Sequence, residues 1–352
     1  MHTFTSSRRL GAAVLAAALA GSGLLTAATP AQAATLGMTA SGGSVFFDDD
    51  PDVGVTCTKT GPGDVSSPGA GTFAANGVPV TSTASSSAVI TDNANASDKT
   101  TMSGSFTTTV TATGTGGQLT NVHLAATAAS SLTTAIAGTK CGASVSVGGG
   151  AQFQFDLAAP TLVTITAESH RLTGIAQLGN LVSPPGSEID GVALFTIGSH
   201  GTSTATSLLK AGTGFIGISQ IQGGFDAPAT AGTLSSSGDL ALDITFQTPG
   251  LATVAQSGSA GKYVALGAGR DCAAGTLPLT WSKKAGTGNN RVIKKATVKV
   301  NGVKVATVKK PKKKEVTLLK GLNAEKAADV EVSFKIQGKG KLTAERSYLR
   351  CT

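Results

Sequence analysis

The chain has 352 residues, of which 40% are hydrophobic, 14% charged and only 4% aromatic, and its formal net charge is +8. Its charged fraction is well below the roughly 25% of an average soluble domain, and its 46 glycines exceed the usual share. These values exclude a coiled coil, a collagen with glycine at every third position, and a wholly disordered chain. At about 150 residues per domain, two or three domains are expected.

The first 33 residues have the features of a secretory signal peptide. Arg8 and Arg9 precede an apolar run at residues 10–28, and Ala-Gln-Ala at residues 31–33 predicts cleavage before Ala34. A permanent membrane anchor is the alternative, because the run approaches the roughly 20 residues that span a bilayer. Gly-Ser-Gly at residues 21–23 interrupts the run, so export with cleavage is favoured. We expect a secreted, extracellular protein with no further membrane span.

Aspartates near the start of the mature chain form a candidate metal site: Asp48, Asp49, Asp50 and Asp52. Their mutual repulsion would be relieved by a cation, and calcium prefers such oxygen ligands. Residues 92–98 offer further aspartate and asparagine oxygens in a second loop. Neither segment has the spacing of a twelve-residue calcium loop, so solvated acidic turns are the competing interpretation. Calcium is the one cofactor that the sequence suggests.

Four cysteines remain after cleavage, and their spacing argues for disulfides. Cys57, Cys141, Cys272 and Cys351 show no C-x-x-C pattern and no clustered histidines, so a zinc site is not expected. An even number of cysteines in an exported chain indicates disulfides. Three pairings are open, and the local one joins Cys57 to Cys141 and Cys272 to Cys351. Each bridge would close a loop of roughly 80 residues, worth about 4 kcal/mol.

The acidic part of the chain has the patterns of β-strands and no helical stripe of convincing length. The sequence therefore predicts an all-β fold of two or three β-sandwich domains. Residues 34–147 form either a separate sandwich or the first half of a larger one, and residues 148–255 form the next domain. The strand candidates are residues 107–113, 153–157, 162–166, 192–197, 214–219 and 240–246.

Residues 148–248 resemble bacterial jelly-roll modules, including pre-peptidase carboxy-terminal domains. In those modules a Leu-x-Ala-Gly-Thr turn precedes a central strand, as Leu-Lys-Ala-Gly-Thr does at residues 209–213. The aromatic residue that usually follows the turn is Phe215, one position late. The resemblance implies a jelly-roll-like domain. It leaves open an alternative function, a glycan-binding accessory module or a weak extracellular hydrolase with its site in this segment.

The histidines of the mature chain do not form a catalytic pattern. His123, His170 and His200 are not near a G-x-S-x-G nucleophile elbow, and there is no H-E-x-x-H motif. Glu168, Ser169 and His170 are adjacent, but on a strand the serine would face away from the other two. They would not form a compact triad. We therefore expect the protein not to be an enzyme.

Charge divides the mature chain into two blocks. Residues 34–264 have a balance of −8, and residues 265–352 have a balance of +14. Such an asymmetry indicates a domain boundary, and the glycine-rich residues 256–265 are interpreted as a linker. The basic domain would then comprise residues 266–352.

The basic domain has the pattern of a small β-sandwich. Asn-Gly at residues 301–302 is a strong hairpin signal. A two-residue turn would place four valines on one buried face and Lys299 opposite Lys304 on the other. Trp281 is predicted to lie in the core. The valines are Val298, Val300, Val303 and Val305, and a further strand is expected at Val330, Val332, Phe334 and Ile336.

Residues 270–352 resemble the carboxy-terminal immunoglobulin-like modules of many secreted actinobacterial proteins. The hairpin at residues 301–302, the Leu-Lys-Gly-Leu turn at residues 319–322 and the terminal Cys351 carry the likeness. The resemblance implies an immunoglobulin-like sandwich and an extracellular location. Such modules occur on enzymes and on other proteins alike, so it implies no chemistry.

A lysine run is the most suggestive functional feature: Lys309, Lys310, Lys312, Lys313 and Lys314. Such a patch attracts polyanions, and outside the cell these are anionic wall polymers, glycans and lipid headgroups. Nucleic acid is not expected, because the patch has no aromatic residues for base stacking. There are two alternatives. The lysines could form a solubilising surface that protects strand edges, or they could dock onto the acidic block of the same chain.

These observations favour a secreted, non-enzymatic protein that is associated with the cell envelope. Its role would be structural or adhesive, with the basic domain contacting anionic wall polymers.

Overall fold

The computed structural model describes residues 35–67, 73–115, 118–181, 189–226, 230–286, 292–336 and 338–352. Within these ranges the fold is all-β, as the sequence predicts, with one short 3₁₀ turn at Lys283–Ala285. The chain divides into two compact units that meet between Phe246 and Gln247. We call them the N-terminal and C-terminal units. The predicted signal peptide, residues 1–33, lies outside the described residues.

The N-terminal unit consists of two antiparallel seven-stranded sheets that pack on each other around one hydrophobic core. Its strands are β1 (Thr35–Pro51), β2 (Cys57–Thr60), β3 (Val65–Ser66), β4 (Phe73–Ala74), β5 (Val80–Asp92), β6 (Lys99–Thr115), β7 (Gln118–Thr134), β8 (Cys141–Leu157), β9 (Thr161–His170), β10 (Thr173–Leu181), β11 (Ile189–Ile197), β12 (His200–Leu209), β13 (Gly212–Asp226) and β14 (Gly232–Gln247). The first sheet has the order β11-β10-β13-β8-β1-β3, with β4 also paired to β1. The second has the order β12-β9-β14-β7-β6-β5-β2.

The strand candidates of the acidic block all lie in these strands, and burial alternates along them as a two-layer sandwich requires. Strands β1 and β8 pair from Gly37 and Gln154 to Pro51 and Cys141. A domain boundary at residue 148 is therefore wrong, because it would cut β8. Residues 34–147 are instead the first half of a larger sandwich.

Glycines allow the two sheets to approach each other closely at mid-strand. On β6, a Cβ added at Gly104 would lie 2.6 Å from Val45 Cγ1 and 2.8 Å from Val147 Cγ1. Conversely, the fully buried Phe106 ring of the second sheet packs on Gly149 in β8 of the first sheet. A Cβ added at Gly149 would lie 2.9 Å from Phe106 Cδ1. Each sheet thus provides a glycine that accepts a side chain of the other.

Both disulfides have the local pairing that the sequence favours. Cys57 is joined to Cys141 in the N-terminal unit, and Cys272 is joined to Cys351 in the C-terminal unit. The bridges span 84 and 79 residues, so each closes a long loop within its own unit. By closing these loops the bridges restrict the unfolded chain of each unit.

The C-terminal unit contains a three-stranded and a four-stranded antiparallel sheet around a second core. Its strands are β15 (Val264–Leu266), β16 (Leu277–Trp281), β17 (Lys295–Val300), β18 (Val303–Lys309), β19 (Val316–Leu319), β20 (Ala328–Ile336) and β21 (Lys339–Tyr348). The sheet orders are β15-β16-β19 and β18-β17-β20-β21. Trp281 is fully buried, as predicted, and lies against the ring of Phe334.

Residues 256–265 are not a linker. The Gln256 side chain donates to the Val264 carbonyl and accepts from the Leu266 amide, at 2.9 and 2.7 Å. The Ala260 amide donates to Thr343 of β21, and Val264 is fully buried. Glycine and serine in this segment therefore form tight turns on the surface of the C-terminal unit, and its first core residues precede the charge boundary.

The hairpin at Asn301 has the predicted turn, but its valines are not all buried. Asn301 and Gly302 have φ values of 51° and 78°, as a two-residue hairpin turn requires. Lys299 lies opposite Lys304 as expected. A register shift after Val298 places Ala306 opposite Val298, and Val303 and Val305 are 66% and 49% exposed. The expected face of four valines is wrong because this irregularity changes the alternation in β18. Val330, Val332, Phe334 and Ile336 lie in one strand, as predicted, and all four are buried.

Two arginines, Arg346 and Arg270, connect backbone segments of the C-terminal unit through hydrogen bonds. The guanidinium of Arg346 donates to the carbonyls of Val254, Leu266 and Gly267. Arg270, only 6% exposed, donates to the carbonyls of Asn323, Ala324 and Lys326. Burial lowers the pKa of Arg270. Since carbonyls are the acceptors, both side chains act as structural cross-links in this unit.

Tyr348 should make the stability of the C-terminal unit depend on alkaline pH. Its buried hydroxyl donates to the Gly267 carbonyl at 2.9 Å, and burial raises its pKa to about 12, against a smaller opposing effect of Arg346. An unfolded tyrosine ionises near pH ~10. The stabilisation is therefore complete below that pH and is lost as the pH rises towards 12.

Ultraviolet titration of a Tyr263→Phe variant measures the pKa of Tyr348 directly, because Tyr348 is then the one tyrosine of the chain. We expect a midpoint at about 12. A midpoint near that of free tyrosine would contradict the burial argument.

Candidate functional site

The five lysines predicted as a binding patch lie in the connection between β18 and β19. We call residues 309–314 the lysine loop. Lys309 ends β18, and all five lysine side chains are exposed, whereas Pro311 between them is buried. The loop therefore directs five ammonium groups outward from a buried proline.

Backbone hydrogen bonds hold the lysine loop in one conformation. The amides of Lys310, Lys313 and Lys314 donate to the carbonyls of residues 294, 286 and 281 at 3.0, 3.2 and 2.8 Å. Lys310 and Lys314 have left-handed φ values of 46° and 60°, which β-carbon sterics disfavour. The loop is thus built into the sandwich and does not behave as a free basic tail.

Further cations lie next to the loop. Lys295 is directly opposite Lys309 on the neighbouring strand, and the loop bonds to the backbone of Lys294. It also bonds to Gly286, which caps the 3₁₀ turn that contains Lys283 and Lys284. We call these four lysines and the lysine loop together the lysine surface.

Carboxylates are almost absent from this region. Residues 281–315 contain twelve lysines and arginines and one acidic residue, Glu315. The Glu315 carboxylate accepts the Lys312 amide at 2.5 Å and so caps the loop. Two ion pairs of this unit join Glu331 to Lys299 and Lys341, outside the lysine surface. The stretch of sequence that contains the lysine surface is therefore strongly basic, with twelve cationic residues to one acidic residue.

The structure does not bring the predicted calcium ligands together in one cluster. Asp48, Asp49 and Asp50 do not lie in a turn: they continue β1, and Asp52 follows its end. Adjacent residues on a strand point to opposite faces, so the Asp49 carboxylate points away from those of Asp48 and Asp50. Within the described part of the chain, no cluster of three acidic, histidine or cysteine side chains could hold a metal ion.

The second acidic loop has a structural role in place of a metal site. Asp98 is 1% exposed, and its carboxylate accepts the Thr139 hydroxyl at 2.6 Å and the Lys140 amide at 2.9 Å. Asp92 accepts the Ala94 amide at 2.8 Å. Both carboxylates therefore fasten turns next to the Cys57–Cys141 bridge.

The histidines do not assemble a triad. Glu168 and His170 are exposed, whereas Ser169 is buried and donates its hydroxyl to the Leu172 carbonyl. His170 lies against His200 on the neighbouring strand, with ring centroids 5.4 Å apart. His123 is 2.9 Å from Asp243, with both side chains on the exposed face of the second sheet. The serine hydroxyl thus points away from the histidines.

A groove on the second sheet was not anticipated from the sequence. It has a volume of about 850 Å³ and crosses β5, β6, β7 and β14. We call it the serine groove, since ten of its fourteen lining residues are serines. They are Ser85, Ser86, Ser87, Ser103, Ser105, Ser130, Ser131, Ser235, Ser236 and Ser237.

The serine groove arises from the register of four strands that are neighbours in the sheet and far apart in the sequence. Ser87, Ser103, Ser131 and Ser235 lie in one row across the four strands. The sequence signal is four short serine-rich runs separated by up to about a hundred residues, and only the strand pairing aligns them. The alternative function placed its site in residues 148–248, whereas most of the groove lies in earlier strands.

No helix of the described residues is long and apolar enough to cross a membrane. No family model and no curated protein matches the chain.

Proposed function

We propose that the protein is exported and acts at the cell envelope as a non-enzymatic structural or adhesive component. Its C-terminal unit contacts an anionic wall polymer through the lysine surface. The observation that carries this proposal is the fixed, nearly carboxylate-free array of lysines around residues 309–314.

The conformation of the lysine surface favours binding over mere solubility. Lysines opposite each other on paired strands repel, and a left-handed lysine costs about 1 kcal/mol or more. Both features occur here, at Lys295 with Lys309 and at Lys310 and Lys314. A solubilising surface needs neither, whereas a polyanion would offset the repulsion when it binds.

The chemistry of the surface favours a phosphate polymer over nucleic acid. Trp281, Tyr348 and Tyr263 are at most 6% exposed, so none provides a platform for base stacking. Ammonium groups bind phosphates as point charges, without a demand for planar geometry. Wall polymers with a phosphate in every repeat match such an array.

The proposed location has independent support. Two disulfides are compatible with an oxidising, extracellular compartment. The three-stranded and four-stranded sheets have the strand numbers of an immunoglobulin-like sandwich. This supports the resemblance of residues 270–352, which contain six of the seven strands, all except β15. The export signal itself is proposed from the sequence of residues 1–33.

Neutralising the loop should abolish most of the binding. The change is Lys312, Lys313 and Lys314 to glutamine, and the probe is an immobilised glycerol-phosphate polymer. At about 1 kcal/mol per lysine near an anionic surface, we expect roughly 100-fold weaker binding at low salt. Binding of the unaltered protein should also fall steeply as salt increases.

The matched control changes Lys320, Lys326 and Lys335 to glutamine. These lysines belong to the same unit, are exposed and lie outside the lysine surface. The control removes the same net charge, so we expect a loss of only a few-fold. Equal losses in the two variants would support a solubilising surface, and retention that salt does not weaken would refute the electrostatic account.

A further inference from the structure

We propose that the lysine surface binds one linear chain of repeated phosphates, which crosses the end of the C-terminal unit from one of its sheets to the other. This proposal rests on the function proposed above and specifies its ligand. The ligand is a run of several consecutive phosphates, and neither a compact anion nor the headgroups of a bilayer. The path of the lysine loop and the positions of the lysines along it carry the proposal.

The lysine loop connects the two sheets of the C-terminal unit. It begins at Lys309, the last residue of β18 in the four-stranded sheet, and leads into β19 of the three-stranded sheet. The Lys310 amide donates to the carbonyl of Lys294, just before β17, and the Lys314 amide donates to the carbonyl of Trp281, the last residue of β16. Sheets that pack face to face lie about 10 Å apart. The loop therefore crosses this distance where the strands end.

Exposed lysines occur at each stage of this path. Lys295 lies opposite Lys309 at the four-stranded sheet, where the path begins. Further along, the Lys313 amide donates to the Gly286 carbonyl, so the 3₁₀ turn at Lys283–Ala285 with its two lysines is next to the loop. All nine lysines of the lysine surface are exposed. The surface is therefore a band that follows the loop and not a pocket.

A band of lysines selects its ligand by length. A compact anion contacts one or two lysines at a time, whereas a chain contacts them in succession. Each lysine near an anionic surface raises affinity roughly fivefold, and successive contacts multiply. Once one phosphate is bound, its neighbours bind at a high effective concentration. Affinity should therefore rise with the number of phosphates until the chain extends beyond the last lysine.

An anionic bilayer is the main competing ligand, because Val316 and Leu318 of β19 are 54% and 52% exposed beside the loop. Alternation places them on the outer face of the three-stranded sheet, since Leu319 is buried. It likewise places Lys295 and Lys309 on the outer face of the four-stranded sheet. The outer faces of two packed sheets point in opposite directions. A flat bilayer on one face does not reach the lysines on the other, whereas a flexible chain can follow the loop between them.

The test measures affinity against chain length. The full chain is titrated at low salt with glycerol-phosphate oligomers of two, four, eight and sixteen repeats, each labelled at one end for fluorescence anisotropy. We expect a rise of at least about 25-fold from two repeats to eight, which corresponds to two additional lysine contacts. From eight to sixteen repeats we expect only the few-fold rise that the larger number of positions along the chain provides.

Two variants locate one end of the band. Lys295→Gln with Lys309→Gln removes the cross-strand pair at the loop end of β17 and β18. Lys299→Gln with Lys304→Gln is the matched control, because these lysines are also opposite each other on the same strands, at the hairpin end. We expect the first variant to bind eight repeats about tenfold more weakly but four repeats less than about twofold more weakly, since a short chain can use the remaining lysines. The control should change both affinities by less than about twofold.

The outcomes separate this proposal from the function on which it rests. An affinity that does not depend on length would overturn it and leave the proposed function in place. Equal losses in the two variants, when Trp281 fluorescence shows both to be folded, would also overturn it. Binding to phosphatidylglycerol vesicles as tight as to eight repeats would assign the surface to a bilayer instead. If no oligomer of any length binds, both proposals fail.

Discussion

Replacing Gly149 with alanine is expected to destabilise the N-terminal unit by about 3 kcal/mol. A Cβ at this position would overlap the Gly42 carbonyl oxygen and the ring of Phe106. The oxygen belongs to the paired strand β1 and the ring is fully buried, so neither can move without displacing the core. The measurement is urea unfolding of the full chain followed by far-ultraviolet circular dichroism.

Gly198→Ala is the matched control, because the nearest atom to its added Cβ is the His200 carbonyl oxygen at 4.0 Å. This variant should stay within about 0.5 kcal/mol of the parent. A Phe106→Leu change should recover part of the loss in Gly149→Ala, since it removes one of the two overlaps. If Gly149→Ala were as stable as the control, the close approach of the sheets would be contradicted.

The same glycine lies at the predicted boundary between residues 147 and 148, which the structure does not have. Gly148, Gly149 and Gly150 are consecutive, and such a run usually indicates a loop or a break between elements. In the structure they lie inside β8, where all three pair with residues of β1. Whether a glycine lies in a turn or at a packing contact depends on which residue faces it from the other sheet. The local sequence does not contain that information.

Features set by local pattern were predicted well. The hairpin at Asn301, the opposition of Lys299 to Lys304 and the burial of Trp281 depend on turn chemistry and alternation over a few residues. The sequence left three disulfide pairings open, and the structure has the local one, in which each bridge stays within its unit. The all-β fold likewise followed from alternation and the lack of a helical stripe.

Features set by non-local register were missed. The serine groove needs Ser87, Ser103, Ser131 and Ser235 at the same level of four strands, and these positions are up to 148 residues apart in the numbering. A shift of one residue in any of these pairings would turn that strand's serine to the other face. The lysine loop was identified by composition alone, but its fixed conformation comes from contacts with β16 and with the start of β17.

Removing the Cys272–Cys351 bridge should have the largest effect on the C-terminal unit. The closed loop spans 79 residues, for which the chain-entropy model gives about 4.5 kcal/mol. Small domains are stable by only about 5–15 kcal/mol, so changing both cysteines to serine should leave the unit marginal. We expect its melting temperature to fall by about 20 °C.

Tryptophan fluorescence isolates this effect, because Trp281 is the one tryptophan of the chain and is buried in the C-terminal unit. The N-terminal unit keeps its own bridge and core, so its transition, followed by circular dichroism, should not move. A single transition that shifts as a whole would show instead that the two units unfold together. Since the lysine loop is fixed by the Trp281 carbonyl, polyanion binding should be lost over the same temperature range as the fluorescence signal.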